Sequence, residues 1–380
     1  MQNQIPNNWQ KVKLGEVALL NPTVSLKKEE KYSFIPMEDL DWSKKYAFGN
    51  KLKAYKGGAK FEEGDVLFAR ITPCLENGKI GRTKELKDGK GFGSTEYFVI
   101  RGKENISDTD FLYYLCRSNK VRQTAINSMI GASGRQRANI NSLGNYELLF
   151  PNYFEQKRIS SFLSSFDNKI ELNNKIAKTL EDMASAIFKE FVNNNHSDNT
   201  LSLRKIADIV KGKKPKNIFI KKIDNSKEYL LIESFTGNKQ FYTNDYKVPQ
   251  SLEYEPVIVM DGASSGKVFI GKDGFVGSTL AVVKVKQEYL NLKLFILFFI
   301  KNIESILISN YTGSAIPHVD RNLLVNYEVP ILKNEIIERF NRLITPVIKK
   351  QEIVKKENQK LAEMRDLLLP KLMKGEIRIQ

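Results

Sequence analysis

The second half of the chain restates the first, at an offset of roughly 180 to 190 residues. Matching stretches recur in one order. Leu14-Gly15-Glu16-Val17-Ala18 corresponds to Leu203-Arg204-Lys205-Ile206-Ala207, and Ile35-Pro36-Met37-Glu38 to Leu230-Leu231-Ile232-Glu233. Gly78-Lys79-Ile80 returns as Gly266-Lys267-Val268, Gly93-Ser94-Thr95 as Gly277-Ser278-Thr279, and Leu143-Gly144-Asn145-Tyr146-Glu147 as Leu324-Val325-Asn326-Tyr327-Glu328. A fold built from two related modules is therefore expected. With 380 residues and 41% hydrophobic content, each module has enough chain for its own core.

Each half divides again by composition. Its first part has short β-rich runs, such as Asp65-Val66-Leu67-Phe68-Ala69 and Leu280-Ala281-Val282-Val283, punctuated by Gly, Asn and Pro. These predict α+β domains with curved sheets. Its second part, after Pro151 or Pro330, has almost no Gly or Pro and a helical period. The expected divisions are 1–152 for the first domain, 153–195 for the first helical spacer, 196–331 for the second domain and 332–380 for the second spacer and tail.

In the last segment Phe340, Val347, Val354, Leu361 and Leu368 recur every seven residues, with Ile336, Leu343 and Met364 read as the complementary row, interrupted by Lys350 and Glu357. The first helical segment is less regular, with Ile159, Phe162, Phe166, Ile170, Ile176, Leu180, Met183 and Ile187 and a slip near Asn173. A seven-residue seam at a duplicated position is expected to pair with its copy, through Phe166, Ile176, Leu180, Met183 and Ile187 on the first helix. Ser164 and Thr345 in matching places, with Pro346 after the latter, predict a short helix followed by a long one in each segment. Pro370 and Gly375 are expected to end the last.

The formal charge of +16, from 60 Lys+Arg against 44 Asp+Glu, favours a polyanionic partner, nucleic acid or an acidic membrane surface. The longest apolar run, Leu290 to Ile300, is broken by Asn291 and Lys293 and falls short of a membrane span, so a buried helix is expected there. The opening Met1-Gln2-Asn3-Gln4-Ile5-Pro6 shows no secretion signal, and a cytoplasmic location is expected. Cys74 and Cys116 are read as reduced and internal; with His196 and His318 they match no zinc spacing, and no metal is expected.

No complete enzymatic motif stands in the sequence. Gly262-Ala263-Ser264-Ser265-Gly266-Lys267-Val268 is one residue short of a phosphate loop and has Val where Ser or Thr should hold magnesium. Asn21-Pro22-Thr23-Val24 lacks the second Pro and the aromatic residue of an amino-methyltransferase motif and reads as a turn. Neither His196, in an Asn-rich linker, nor His318, after Pro317, has an obvious acid-base partner. No catalytic residue and no bound cofactor are expected; the alternative is a stand-alone nuclease or methyltransferase with an unrecognised active site.

Loops suited to reading DNA are present in both modules, with donors for base edges and phosphates and Gly where the backbone comes close. Candidate DNA contacts in the first are Arg70, Thr72, Lys79, Ser94, Thr95, Arg135, Gln136, Arg137 and Asn139. In the second they are Ser264, Ser265, Lys267, Ser278, Thr279, Thr312, Ser314, His318 and Arg321. The loops occupy equivalent positions but differ in side chains, as two similar scaffolds reading different base sequences would.

With these features the chain resembles the specificity (S) subunits of type I restriction-modification systems over essentially its whole length. The resemblance rests on Trp9-Gln10-Lys11-Val12-Lys13-Leu14-Gly15-Glu16-Val17, on Gly64-Asp65-Val66-Leu67, and on Phe150-Pro151 with Glu155-Gln156-Lys157-Arg158-Ile159. It also rests on the ending Arg365-Asp366-Leu367-Leu368-Leu369-Pro370-Lys371-Leu372-Met373-Lys374-Gly375-Glu376-Ile377. In the second half the match to Glu155-Gln156-Lys157-Arg158 is eroded to Asn334-Glu335-Ile336-Ile337-Glu338-Arg339. The resemblance implies two target-recognition domains, each reading half of an asymmetric bipartite site, separated by two long helices packed as an antiparallel coiled coil. It also implies double-stranded DNA, two modification (methyltransferase) subunits and motor-nuclease restriction subunits as partners, with S-adenosylmethionine, ATP and Mg²⁺ on those partners. About 26 residues from Phe166 to Phe191 would measure roughly 39 Å as helix, a little over one DNA turn of about 34 Å.

Overall fold

The computed structural model describes residues 9–195, 197–236, 240–312 and 317–379, without the side chains of 311 and 312. The chain forms two compact units, Met1–Asn174 with Glu357–Gln380, and Lys175–Lys356.

In the first unit, strand Gln10–Lys13 pairs antiparallel with Glu147–Phe150, so the two ends of the repeat close on each other. A helical turn, Leu14–Val17, follows with Leu14 and Val17 buried. Five strands then form one sheet in the order Ala18–Leu20, Tyr97–Gly102, Val66–Ala69, Ile80–Lys84, Tyr46–Phe48. A second sheet runs Lys51–Ala54, Lys31–Ile35, Lys90–Gly93, Ala59–Glu62, its central pair parallel. Val66–Ala69 is buried along its whole length, as its unbroken apolar run requires of a central strand.

The second unit repeats this plan. Thr200–Ser202 closes on Glu328–Pro330, and the turn Leu203–Ile206 buries Leu203 and Ile206. One sheet runs Ala207–Lys211, Leu280–Val285, Pro256–Val259, Val268–Ile270, and the other Phe241–Thr243, Lys227–Leu230, Gly274–Val276, Gln250–Ser251, again with a parallel central pair. Among the described residues the edge strand Tyr46–Phe48 has no counterpart. Fine detail repeats as well: Lys103 Nζ donates to the carbonyls of Gly15 and Glu16, and Lys286 Nζ to those of Arg204 and Lys205, each satisfying the end of its helical turn. Gly78 and Gly266 both stand at positive φ, 69° and 90°, where the turn before the next strand admits glycine with least strain.

The apolar run after Leu290 forms helix Lys293–Asn302, whose residues Phe295 to Ile300 are buried in the second unit. No helix among the described residues is long and apolar enough to cross a membrane. Both cysteines are free; Cys116 is buried, with burial pushing its thiol up to about 12, whereas Cys74 is only half-buried, more open than the sequence suggests.

Each helical segment is one continuous helix, Tyr153–Asn194 and Asn334–Met373, rather than a short helix and a long one. Pro346 lies inside the second, where it cannot donate to the preceding turn. Thr345 Oγ1 donates to the Asn341 carbonyl at 2.6 Å, and Ile344, Val347 and Ile348 are buried on both sides of the proline, so packing overrides the local break. Pro370 is likewise helical, and Gly375, at φ 70°, turns the chain away after Met373.

The seam needs correction. Phe340, Val347 and Val354 are buried and Leu361 and Leu368 half-buried, but Leu343 and Met364, read as the complementary row, are about half exposed. The true complementary row is Ile337, Ile344, Gln351, Asn358, Arg365 and Leu372, half of it polar. On the first helix Phe166, Ile176, Leu180 and Ile187 are half-buried and Met183 stands exposed, because the buried face runs through Ile159, Leu163, Asp167, Ile170, Asn173, Ala184, Phe188 and Phe191.

In the first unit the helix segments run antiparallel, with Asp167 opposite Arg365 (2.5 Å), Asn173 opposite Glu357 (3.0 Å) and Asn174 opposite Asn358 (2.9 Å). In the second, Gln351 Nε2 donates to the Ala177 carbonyl at 3.2 Å, and Phe188 and Phe191 pack edge-on to Phe340. Replacing Arg365 by Met alone is expected to destabilise the chain by about 3 to 5 kcal/mol, because Asp167 is left charged and buried. Replacing Asp167 by Leu as well should recover most of that loss in urea unfolding; equal loss in single and double variants would refute the account.

Candidate nucleic-acid interface

In the first unit the site is built where strand Val66–Ala69 ends. Arg70 N donates to the Glu96 carbonyl, Ala138 N to that of Arg70, and Thr72 N to that of Gln136, so the loop before Ala138 is stitched to the strand exit. Backbone bridges join Arg137 to Ile71 and to Ile130. Arg70, Thr72, Gln136 and Arg137 are thereby brought together from positions far apart in sequence.

Glu96, which the sequence does not single out, enters from the turn after Gly93, its amide held by Ser94 Oγ at 3.1 Å. Its carboxylate accepts from Arg137 Nη2 at 2.7 Å and Arg137 Nε at 3.0 Å, and from Arg70 Nε at 3.2 Å. Hydrogen bonds from Arg137 outweigh partial burial and, with Arg70, hold Glu96 below the ordinary carboxylate range. Arg70 also lies over the Phe98 ring, 5.7 Å from its centroid.

The other candidates part into two groups. Lys79 Nζ donates to the Met37 carbonyl, Ser94 supports the Glu96 turn, and Asn139 caps helix Ile140–Gly144 by accepting from Asn141 N. Thr95 and Arg135 are exposed. Thr95 and Arg70 border a groove of about 410 Å³ that Lys60 and Tyr97 also line.

In the second unit the corresponding strand, Pro256–Val259, leads through Met260 to Asp261, which a backbone bridge joins to His318. His318, for which the sequence gives no partner, places Nδ1 2.7 Å from Asp261 Oδ1, and Lys211 Nζ lies 2.9 Å from Oδ2. Burial opposes the charge on Asp261, but Lys211 and His318 outweigh it and keep the carboxyl below its ordinary range.

Ser264 and Lys267 are exposed, the ammonium 5.6 Å from the Phe269 ring centroid, and Ser278 and Thr279 are exposed beyond strand Gly274–Val276. Ser265 is buried and donates to the Met260 carbonyl; Arg321 donates to that of Ile209. The Thr312 side chain and Ser314 lie outside the described residues, as does His196. The amides of Ser265, Gly266 and Lys267 bond to the carbonyls of Gly262, Val259 and Ser264, so these three donors are already engaged within the unit. Among the described residues no group of three or more His, Cys, Asp or Glu could hold a metal ion.

The family described as the type I restriction modification DNA specificity domain matches residues 6–182 and 199–363, one stretch for each repeat. The chain belongs to this family. A specificity subunit of the type I restriction enzyme EcoEI from Escherichia coli is 31% identical over 161 residues, 41% of this chain and 27% of that protein. The chain thus matches about a quarter of that relative's length. The MjaIX specificity subunit of Methanocaldococcus jannaschii is 26% identical over 306 residues, covering 72% of this chain and 70% of its own. The crystal structure of a type I restriction-modification S subunit from M. genitalium shares the fold, with TM-score 0.56 at 18% identity over 98% of this chain and 97% of that one.

Because Glu96 is held below its ordinary value of 4.5, its contribution to the loop is complete above that pH and is lost as pH falls through the lowered value. The amides of Ile130 and Arg137, which bond across the loop, should keep constant protection from pH 7 to about 5 and lose it only below 4.5. Loss of protection near neutrality in hydrogen exchange would contradict this.

Proposed function

We propose that the chain is the DNA sequence-specificity subunit of a type I restriction-modification complex. Each recognition domain, 1–152 and 196–331, reads one half of an asymmetric bipartite duplex site. The helical segments 153–195 and 332–380 set the gap between half-sites and dock two modification subunits. The chain has no catalytic residue and binds no cofactor. S-adenosylmethionine, ATP and Mg²⁺ act on the modification and motor-nuclease subunits of a complex that works in the cytoplasm. The observation that carries this reading is that two units of closely related topology present different side chains where equivalent strands end, Arg70 and Arg137 in one and Asp261 and His318 in the other.

Selection from random duplex DNA by the purified complex tests it, and a split consensus is expected. Turnover of DNA by the pure chain supplied with Mg²⁺ and S-adenosylmethionine would overturn it in favour of a stand-alone enzyme. Arg137→Ala should weaken binding through the first half-site alone. Titrations on sites altered one half at a time check this, and an equal disturbance of the second half would refute independent reading.

A further inference from the structure

Both strand exits carry a carboxylate between donor side chains, yet the two carboxylates come from different places. In the first unit Glu96, only 17% exposed, reaches in from a neighbouring turn to hold Arg70 and Arg137. In the second, Asp261 stands one residue past the strand exit, bridged to His318 as Ile71 is bridged to Arg137, and it holds His318 and Lys211, the latter from a strand two places away in the sheet. Simple duplication does not carry such an arrangement across, since the place of Asp261 holds Ile71 in the first unit and the place of Arg70 holds Met260 in the second.

The carboxylate decides what these donors can contact. A phosphate oxygen seeks unpaired cations, and a carboxylate about 3 Å from each donor both repels it and removes the net charge that releases counterions. A base edge is neutral and asks instead for donors fixed in direction. An arginine free in solvent spreads over many rotamers, and two hydrogen bonds to one carboxylate confine it. Arg135 differs, for it is exposed and its side chain has no hydrogen bond or ion pair among the described residues. Lys267 is exposed, beside the Phe269 ring, and its side chain has no hydrogen bond or ion pair among the described residues.

We infer that the two carboxylate-bridged clusters are the base-reading points of their units, with Glu96 and Asp261 as positioning residues, and that Arg135 and Lys267 contact phosphate. This rests on the proposed DNA-reading function. Glu96→Gln, Asp261→Asn, Arg137→Ala and Arg135→Ala are compared with the wild type in the complex purified through the full chain, by random-site selection and by titration at several salt concentrations. Glu96→Gln and Arg137→Ala should each relax discrimination in the first half-site by roughly five- to hundredfold while the second half of the consensus stays intact, which also reports a folded chain. Neither should lower the salt slope by a full unit. Asp261→Asn should do the same in the second half alone, and Arg135→Ala should lower the slope by about one with the consensus unchanged.

An unchanged consensus for Glu96→Gln, or relaxation of both halves by it, would overturn the inference. So would a relaxed base position in Arg135→Ala alongside a change of slope alone in Arg137→Ala. A wild-type complex that selects no split sequence would instead refute the function on which the inference rests.

Discussion

Asp167 and Arg365, 198 residues apart in sequence, meet in the first unit with both side chains almost wholly out of solvent. Two charges removed from water are costly unless most of their remaining hydrogen-bonding groups are also served, and Arg365 Nη2 is left buried without a hydrogen-bond partner among the described residues. Here Tyr114 donates its hydroxyl to the other oxygen of Asp167, and Asp366 accepts from Arg365 Nε at 2.9 Å. Burial works against the Arg365 charge, but Asp167 and Asp366 outweigh it and hold the guanidinium above its ordinary value. The pair fixes which turn of the second long helix lies against which turn of the first. An apolar seam alone could slide by one heptad with modest loss, whereas displacing Arg365 would bury an unpaired charge.

The core of the first unit follows from that register. Leu369 and Leu372, one and two turns beyond Arg365, enter the same cluster as Ile159 and Leu163 and the buried face of helix Thr109–Arg117. Residues of the chain's end therefore complete a core begun by its start. Tail contacts extend the closure, with Arg378 paired to Glu155, while Gln156 ties the helix start to the carbonyls of Ile106 and Pro151 and to the Asp108 amide. Several of the residues that signal the family thus have structural tasks at this junction.

The repeat is legible in sequence because it is carried by residues with strict local duties, the helical turns buried by Leu14 and Leu203 and the turn glycines Gly78 and Gly266. The helix seam is half legible. Its apolar row shows a clean seven-residue period, but the partner row includes Gln351, Asn358 and Arg365, which hydropathy assigns to solvent. Gln351 and Arg365 are buried and Asn358 half-buried, with partners Ala177, Asp167 and Asn174 that no local pattern connects to them. Leu343 and Met364 are the converse, apolar residues left exposed on the opposite side. Pro346 misleads for a related reason: one missing donor is small beside the apolar area buried on both sides of it.

At the candidate interface the sequence shows where donors lie but not whether they are already engaged. Lys79, Asn139, Ser265 and Arg321 have the right chemistry and loop positions, yet each is bonded within its own unit, to a carbonyl or a helix-capping amide. Glu96 and Lys211 escape notice because they act across strands, through neighbours set by sheet order. The consequence bears on how such a scaffold can change what it reads. Cores and helix seams use side chains that face inward, while Arg135, Thr95, Ser264 and Lys267 face outward. Substitutions at exposed sites of this kind usually alter stability by no more than about 0.5 kcal/mol. Recognition can therefore vary between the two units while the fold beneath them stays the same, provided that each new donor set still balances its buried charges.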